Sequence, residues 1–193
     1  MKKQEVFKKE ISYIKSASKR KDVKTLISLL PDYFFEVPAS STGKYHPSFA
    51  LGDGGLVRHT KVAVRIAKEL LDNNTVGMKF TSEDKDLIIM ALILHDGLKS
   101  GLEHSKYTKF DHPLLISKYI MENKDKLSLE IDDIRKLCSM IESHMGEWTY
   151  DSYHQKEVLP KPRTAEQRFV HMCDFLASRK FLDVKFNDNN IED

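Results

Sequence analysis

The run TSEDKDLIIMALILHDGLKSG, residues 81–101, decides the fold. Thr81 or Ser82 can cap a helix over 83–95, whose apolar face ends at His95-Asp96 before Gly97 breaks the regularity. Upstream, Val62, Ala63, Ile66, Ala67 and Leu70 form another helical stripe from about Leu56, and His59 lies on it. Downstream, Asp111 is placed to cap a helix over 112–124, with Pro113 tolerated in the first turn. A further stripe runs over 130–144, from Ile131 and Ile134 to Ile141 and His144. Thr164-Ala-Glu-Gln167 is a capping box opening a last helix over 165–180. Before the decisive run, helical spacing covers 3–19 through Val6, Phe7, Ile11 and Ile14, and a second short helix covers 22–30, stopped by Pro31. Two long loops remain, 31–55 and 146–163, and nothing reads as a strand. The expected fold is all-α, a bundle of about seven helices.

Composition agrees. The 193 residues are 40% hydrophobic, enough for one domain or a domain with an extension. No apolar run is long enough to span a bilayer, so no membrane is expected. The charged start MKKQEVFKKE is no secretory signal, and Cys138 and Cys173 show neither metal-like nor redox-like spacing. The expected compartment is the cytoplasm. Net charge is +2, but residues 1–24 hold nine Lys/Arg against three Asp/Glu. That flank reads first as a solvated lysine-rich helix, with attraction to phosphate-rich partners as the alternative.

The recurring feature is an imidazole or carboxylate at the end of an apolar stripe: His59, His95-Asp96, His112, His144 and Asp174. Asp174 is flanked by Phe169, Val170, Met172, Cys173, Phe175 and Leu176. A carboxylate in such surroundings needs a partner against desolvation, and a metal ion is a good one. Imidazole with carboxylate suits Mn, Fe, Zn, Co or Ni and discriminates poorly among them. Taken singly, each residue is a hydrogen-bonded core histidine or a helix-ending aspartate; taken together, they point to metal.

The strings RHT (58–60), LHDGLKSG (94–101), DHP (111–113), SHMG (143–146) and CDF (173–175) resemble the HD superfamily of metal-dependent phosphohydrolases over roughly 54–180. The nearest likeness is to the HD domain of bacterial 3′-to-5′ exoribonucleases, through Lys99, Tyr107-Thr108 and Leu159-Pro160-Lys161-Pro162. Their nucleic-acid-binding OB domain has no counterpart in residues 1–53. The resemblance implies an HD-domain helical bundle over 54–182, an N-terminal helical extension and loop over 1–53, and a tail over 183–193. It implies that His59, His95, Asp96 and Asp174 hold one divalent ion and that Asp96 bridges to a second with His112 and His144. Some two-metal relatives carry His-His where this chain has His144-Met145, and thioether is a poor ligand for such ions. The implied cofactor is one or two divalent ions (Mn, Fe, Ni, Co or Zn, with Mg also suitable). The implied reaction is hydrolysis of a phosphate ester.

Catalysis is expected from Asp96 and Lys99, the lysine standing three positions further on to neutralise phosphoryl charge or, alternatively, to be solvated in a loop. Arg58, His104, Lys161 and Arg163 are further candidates for substrate contact. His46 and His154 lie in the long loops and read as surface residues, and His171 reads as packing. Trp148 and Tyr150 either stack on a base or cover the core, Trp148 the latter. Gly54-Gly55 reads as a turn. The partner is a phosphate-containing small molecule or a short nucleic acid, and the oligomeric state is not set by the sequence. The second functional class is a non-catalytic module that binds nucleotide or RNA through the same pocket.

Overall fold

The computed structural model describes residues 2–40, 42–44 and 46–192. Nine α-helices are formed among them: α1 (Lys3–Val6), α2 (Lys8–Ser12), α3 (Ala17–Leu29), α4 (Gly55–Asp72), α5 (Asn74–Gly77), α6 (Ser82–Leu94), α7 (His112–Glu122), α8 (Ile131–Glu142) and α9 (Ala165–Ala177). The all-α bundle is therefore observed. At its centre lies α6, where every residue from Asp86 to Leu94 is buried. A helix apolar on all sides belongs in the middle of a domain, and α3, α4, α8 and α9 pack around it. The expected cap is present: Thr81 Oγ1 accepts from the Asp84 N–H at 3.1 Å, and the Asp84 carboxylate accepts from the Thr81 N–H at 3.0 Å. The box opening α9 is present too, between Thr164 and Gln167.

The expected single helix over 3–19 is divided. Phe7 separates α1 from α2, and the chain turns at 13–16 before α3. Asp86 of the central helix causes the second break: its carboxylate accepts from the N–H groups of Lys15 (2.7 Å) and Ser16 (2.9 Å). Two amides taken by a distant carboxylate cannot continue a helical ladder, and Ser16 then caps α3 through the Lys19 N–H. Phe7, Ile11 and Ile14 still fall on the core, so helical spacing predicted the burial correctly while missing the turn. Asp111 occupies the position before α7 but makes no capping bond with its side chain.

Strands are the second correction. Two hairpins of two residues per strand are present: β1 (Tyr150–Asp151) with β2 (Lys156–Glu157), and β3 (Phe186–Asn187) with β4 (Asn190–Ile191), both antiparallel. Their turns carry Gln155 and Asp188 with φ of 49° and 52°. Such runs are too short for an alternating pattern to register, and the Asn-Asp-Asn-Asn of 187–190 was the available turn signal. Gly54 enters α4 at φ 70°, and a Cβ on Gly55 would meet the Ala50 carbonyl oxygen at 2.3 Å. The pair is thus the turn expected, fixed by close backbone contact.

One buried ion pair ties both ends of the chain to α4. Lys61 Nζ lies 4.0 Å from Glu10 Oε2, with both side chains almost wholly buried, and donates to Asn190 Oδ1 at 2.9 Å. Burial raises the Glu10 carboxyl and lowers the Lys61 ammonium, each opposed by attraction to the other. Removing one member of such a pair strands the other in the core. We expect Lys61→Met to lower unfolding free energy by about 3–5 kcal/mol, and Glu10→Leu with Lys61→Met together to restore most of it. Urea midpoints at constant slope check both changes.

Candidate metal centre

Five of the helices, α4 and α6 to α9, deliver polar residues to one end of the bundle. His59 lies one turn into α4; His95 ends α6 and Asp96 follows it; His112 opens α7; His144 lies just beyond α8; Asp174 is in the last turn of α9. Together with His46, Lys99, Thr108, Met145, Trp148 and Phe175, these residues except His95 line a cavity of about 230 Å³. His95 lies directly beneath, wholly buried.

Three imidazoles are fixed in the same way. The Nδ1 atoms of His95, His112 and His144 lie 2.7, 2.8 and 2.7 Å from the carbonyl oxygens of Leu92, Lys109 and Ile141. A carbonyl only accepts, so each Nδ1 carries a proton, and in the neutral ring each Nε2 presents a lone pair. Those Nε2 atoms face carboxylates. His95 Nε2 is 3.4 Å from Asp174 Oδ1 and 3.5 Å from Asp96 Oδ2, and His112 Nε2 is 3.0 Å from Asp96 Oδ1. His144 Nε2 is 3.8 Å from Asp96 Oδ1 and 3.3 Å from His112 Nε2. His59 Nε2 is 2.9 Å from Asp174 Oδ1. Lone pairs turned onto carboxylates repel unless a cation or an added proton stands between them.

Of the five buried side-chain atoms without a hydrogen bond among the described residues, all but Glu10 Oε2 fall in the same place: His59 Nδ1, His95 Nε2, Asp96 Oδ1 and His46 Nδ1. Two groups have the spacing of a metal's ligands, their donor atoms within 4.8 Å of one another: His59 with His95 and Asp174, and His95 with Asp96 and His144. Imidazole with carboxylate suits a divalent transition ion, and the carbonyl-pinned Nδ1–H groups are the orienting contacts such ligands need. The residues present fit the group.

Charge follows this geometry. Burial opposes ionisation of Asp96, but Lys99, His95 and His112 hold its carboxyl well below the usual carboxylate range. Asp174 is held low against burial by His59, at hydrogen-bond distance, and by the nearby His95. His95 is raised, because Asp96 and Asp174 outweigh its burial. His144 is pushed down to about 3 by burial and the charge of His95.

The sequence-predicted residues divide cleanly. His59, His95, Asp96, His112, His144 and Asp174 are brought together, and Lys99 joins them through a bond from Nζ to Asp96 Oδ2 at 2.5 Å. Arg58, His104, Lys161 and Arg163 do not line the cavity. Arg58 is spent on structure, donating to the carbonyls of Phe49 (2.5 Å) and Leu51 (2.8 Å) and to Asn189 Oδ1 (2.9 Å). His104 packs against Tyr33, their ring centroids 5.2 Å apart. Lys161 and Arg163 are exposed beside α9.

His154 is at the surface as expected, paired with Asp151. His171 packs as expected, with its Nδ1 on the His144 carbonyl at 2.7 Å. His46 is the residue sequence reasoning missed: it is a cavity wall, its ring 5.1 Å from that of His59 and pushed down to about 3 by burial. Its only signal was a histidine thirteen positions before His59 in a long loop. Trp148 is a correction as well, since it is 45% exposed at the cavity and not part of the core.

The family model for the HD domain matches residues 56–178, well over half of the sequence. The chain belongs to the HD domain family. HD domains are generally metal-dependent hydrolases that bind divalent ions, and the His/Asp groups of this HD domain are placed to do so. No curated protein and no solved structure is significantly similar to the chain. No helix among the described residues is long and apolar enough to cross a membrane.

The buried histidines set a pH dependence for metal-free protein. His46 and His144 stay neutral when folded but take up protons in the unfolded chain near the ordinary 6.5. Their depressed values cost no stability above 6.5 and a growing amount as pH falls towards 3, since only the unfolded state then binds the protons. His95, raised, is protonated in both states below 6.5 and adds no slope there. We expect stability between pH 6 and 4.5 to fall by about 1.4 kcal/mol per pH unit for each of the two histidines. Denaturant titrations of the EDTA-treated protein measure it, and His46→Gln should roughly halve the slope.

Proposed function

We propose that this HD domain is a phosphohydrolase, a phosphomonoesterase or phosphodiesterase, acting on a nucleotide, dinucleotide or short oligonucleotide. One observation supports it above the rest: three imidazoles with Nδ1 committed to the backbone turn their Nε2 atoms onto the buried Asp96 and the half-buried Asp174, beside a cavity open to a small ligand. On this reading His59, His95, Asp96 and Asp174 hold one ion, and Asp96 is shared with a second site completed by His112 and His144. A divalent ion held there would supply the acidification of water to hydroxide near neutral pH and the polarisation of phosphoryl oxygens.

The remaining work falls to the chain. Asp96 and Asp174, ionised far below neutral pH, keep the negative charge that the site is built around. The backbone carbonyls of Leu92, Lys109 and Ile141 keep three rings in register for their role. Lys99 neutralises Asp96 at rest, and its long, flexible stem lets the ammonium turn to a phosphoryl oxygen as charge builds there. Substrate contact through Arg58, His104, Lys161 or Arg163 gains no support from their positions. A likeness in substrate to the 3′-to-5′ exoribonucleases rests on Lys99, Tyr107-Thr108 and the 159–162 loop alone.

Elemental analysis of protein reconstituted with Mn²⁺ or Fe²⁺, paired with turnover of p-nitrophenyl phosphate and bis-p-nitrophenyl phosphate, tests this function. Asp96→Ala should lose metal and turnover together. Lys99→Met should keep its metal and lose roughly 10²-fold or more in kcat, the scale of one lost charge-stabilising donor. Protein that takes up no ion would refute the reading. Metal uptake without turnover of any phosphate ester would make the chain an HD module that binds nucleotide or RNA without cleaving it.

A further inference from the structure

At about 230 Å³ the cavity beside the His/Asp groups is smaller than the roughly 300–1,000 Å³ of pockets that enclose a whole drug-sized ligand. It has room for a phosphoryl group and little more, so the rest of a substrate lies across its mouth. There the structure exposes a large aromatic surface. Trp148 lines the cavity and is still 45% exposed. One side of the indole is covered by Phe175, whose ring is 5.9 Å away and inclined by only 17°. The Arg179 guanidinium in turn lies over the Phe175 ring, 4.1 Å from its centroid.

This layered arrangement is held in place. Arg179 Nε donates to the Phe175 carbonyl at 3.1 Å and Nη2 to Ser178 Oγ at 2.7 Å. On the other side of the chain, Thr149 is buried, and its carbonyl accepts from the Val158 and Leu159 N–H groups at 2.9 and 3.3 Å. The indole is therefore exposed on an anchored backbone. Water contact at so large an apolar group is costly unless something covers it. His171 meets the indole at a steep angle, 62°, with ring centroids 6.2 Å apart, and the surface left exposed, next to a phosphate-sized cavity, fits a planar ring attached to a phosphate.

We propose that Trp148, backed by Phe175 and Arg179, is a nucleobase-stacking platform that selects phosphate esters carrying a base over those carrying sugar alone. The proposal rests on the phosphohydrolase reading, and it adds what lies beyond the phosphate. Stacking is tolerant of base identity, because every base has a π face. Trp148 thus separates nucleotides from sugar phosphates without ranking the bases.

Trp148 is the only tryptophan in the chain, so its fluorescence reports the platform directly. Metal-reconstituted protein of measured metal content is titrated with two ligands: AMP with a methylene group in place of the 5′ oxygen, and ribose bearing the same phosphonate. Neither can be hydrolysed at that position. Calorimetry should show the adenosine ligand binding at least about fivefold more tightly, the low end of base–aromatic stacking, and only that ligand should change the Trp148 emission strongly. Trp148→Phe should keep most of the preference. Trp148→Ala should lose it while holding its metal and binding the ribose phosphonate as before, with a thermal melt confirming that it folds. Equal binding of the two ligands by the metal-loaded wild type, or a preference that survives Trp148→Ala, overturns the platform and leaves the phosphohydrolase reading intact. Protein that takes up no metal and binds neither ligand overturns both.

Discussion

Everything at the functional end of the molecule depends on a carboxylate placed where carboxylates are least stable. Asp96 follows the most apolar helix of the bundle and is 2% exposed. Ionisation there is tolerable only because Lys99, His95 and His112 converge on its oxygens and hold the charge. Three elements must therefore end at one point, which fixes how α6, α7 and the loop after α6 are arranged. A buried charge is weak evidence of stability and strong evidence of purpose, since an apolar residue would fill the same space at less cost.

That convergence was legible in the sequence because each contributor sits where an apolar helical stripe stops. The stripes of α4, α6, α8 and α9 were read from spacing, and their ends fell together because helices in a bundle end together. The capping boxes at Thr81 and Thr164 were readable for a different reason, being local chemistry over four residues. What spacing does not reach are residues whose place is decided by loops. His46 becomes a cavity wall because the 46–51 segment is held by Arg58, a bond that no local pattern announces. Trp148 reads in the sequence as covering the core, and its exposure follows from a loop anchored at Thr149. The break in the first helix was invisible for the same reason: its cause, Asp86, lies seventy positions away.

The family match begins at residue 56 and ends at 178, but the core does not respect those limits. Phe7, Ile11, Ile14, Val23, Leu26, Ile27 and Leu30 lie in the same hydrophobic cluster as α6, and Val184, Phe186 and Ile191 pack against it from the other end. The flanking segments also act on the site at one remove. Asn189 in the last hairpin turn bonds Arg58, Phe186 packs on Phe49 with ring centroids 5.6 Å apart, and both contacts steady the segment that carries His46.

The bond between Asp86 and the amides of Lys15 and Ser16 also has a meaning in time. Its partners are 71 and 70 positions apart. A ribosome adding roughly 5–20 residues per second releases the first helices several seconds before the carboxylate that will seat them. During that interval Phe7 can already pack on Phe34 and Phe35, and the first two helices on α3, while the central helix that completes their burial is still to be made. The amino-terminal helices thus form a small apolar cluster of their own first, and the nascent protein must keep it soluble until α6 arrives.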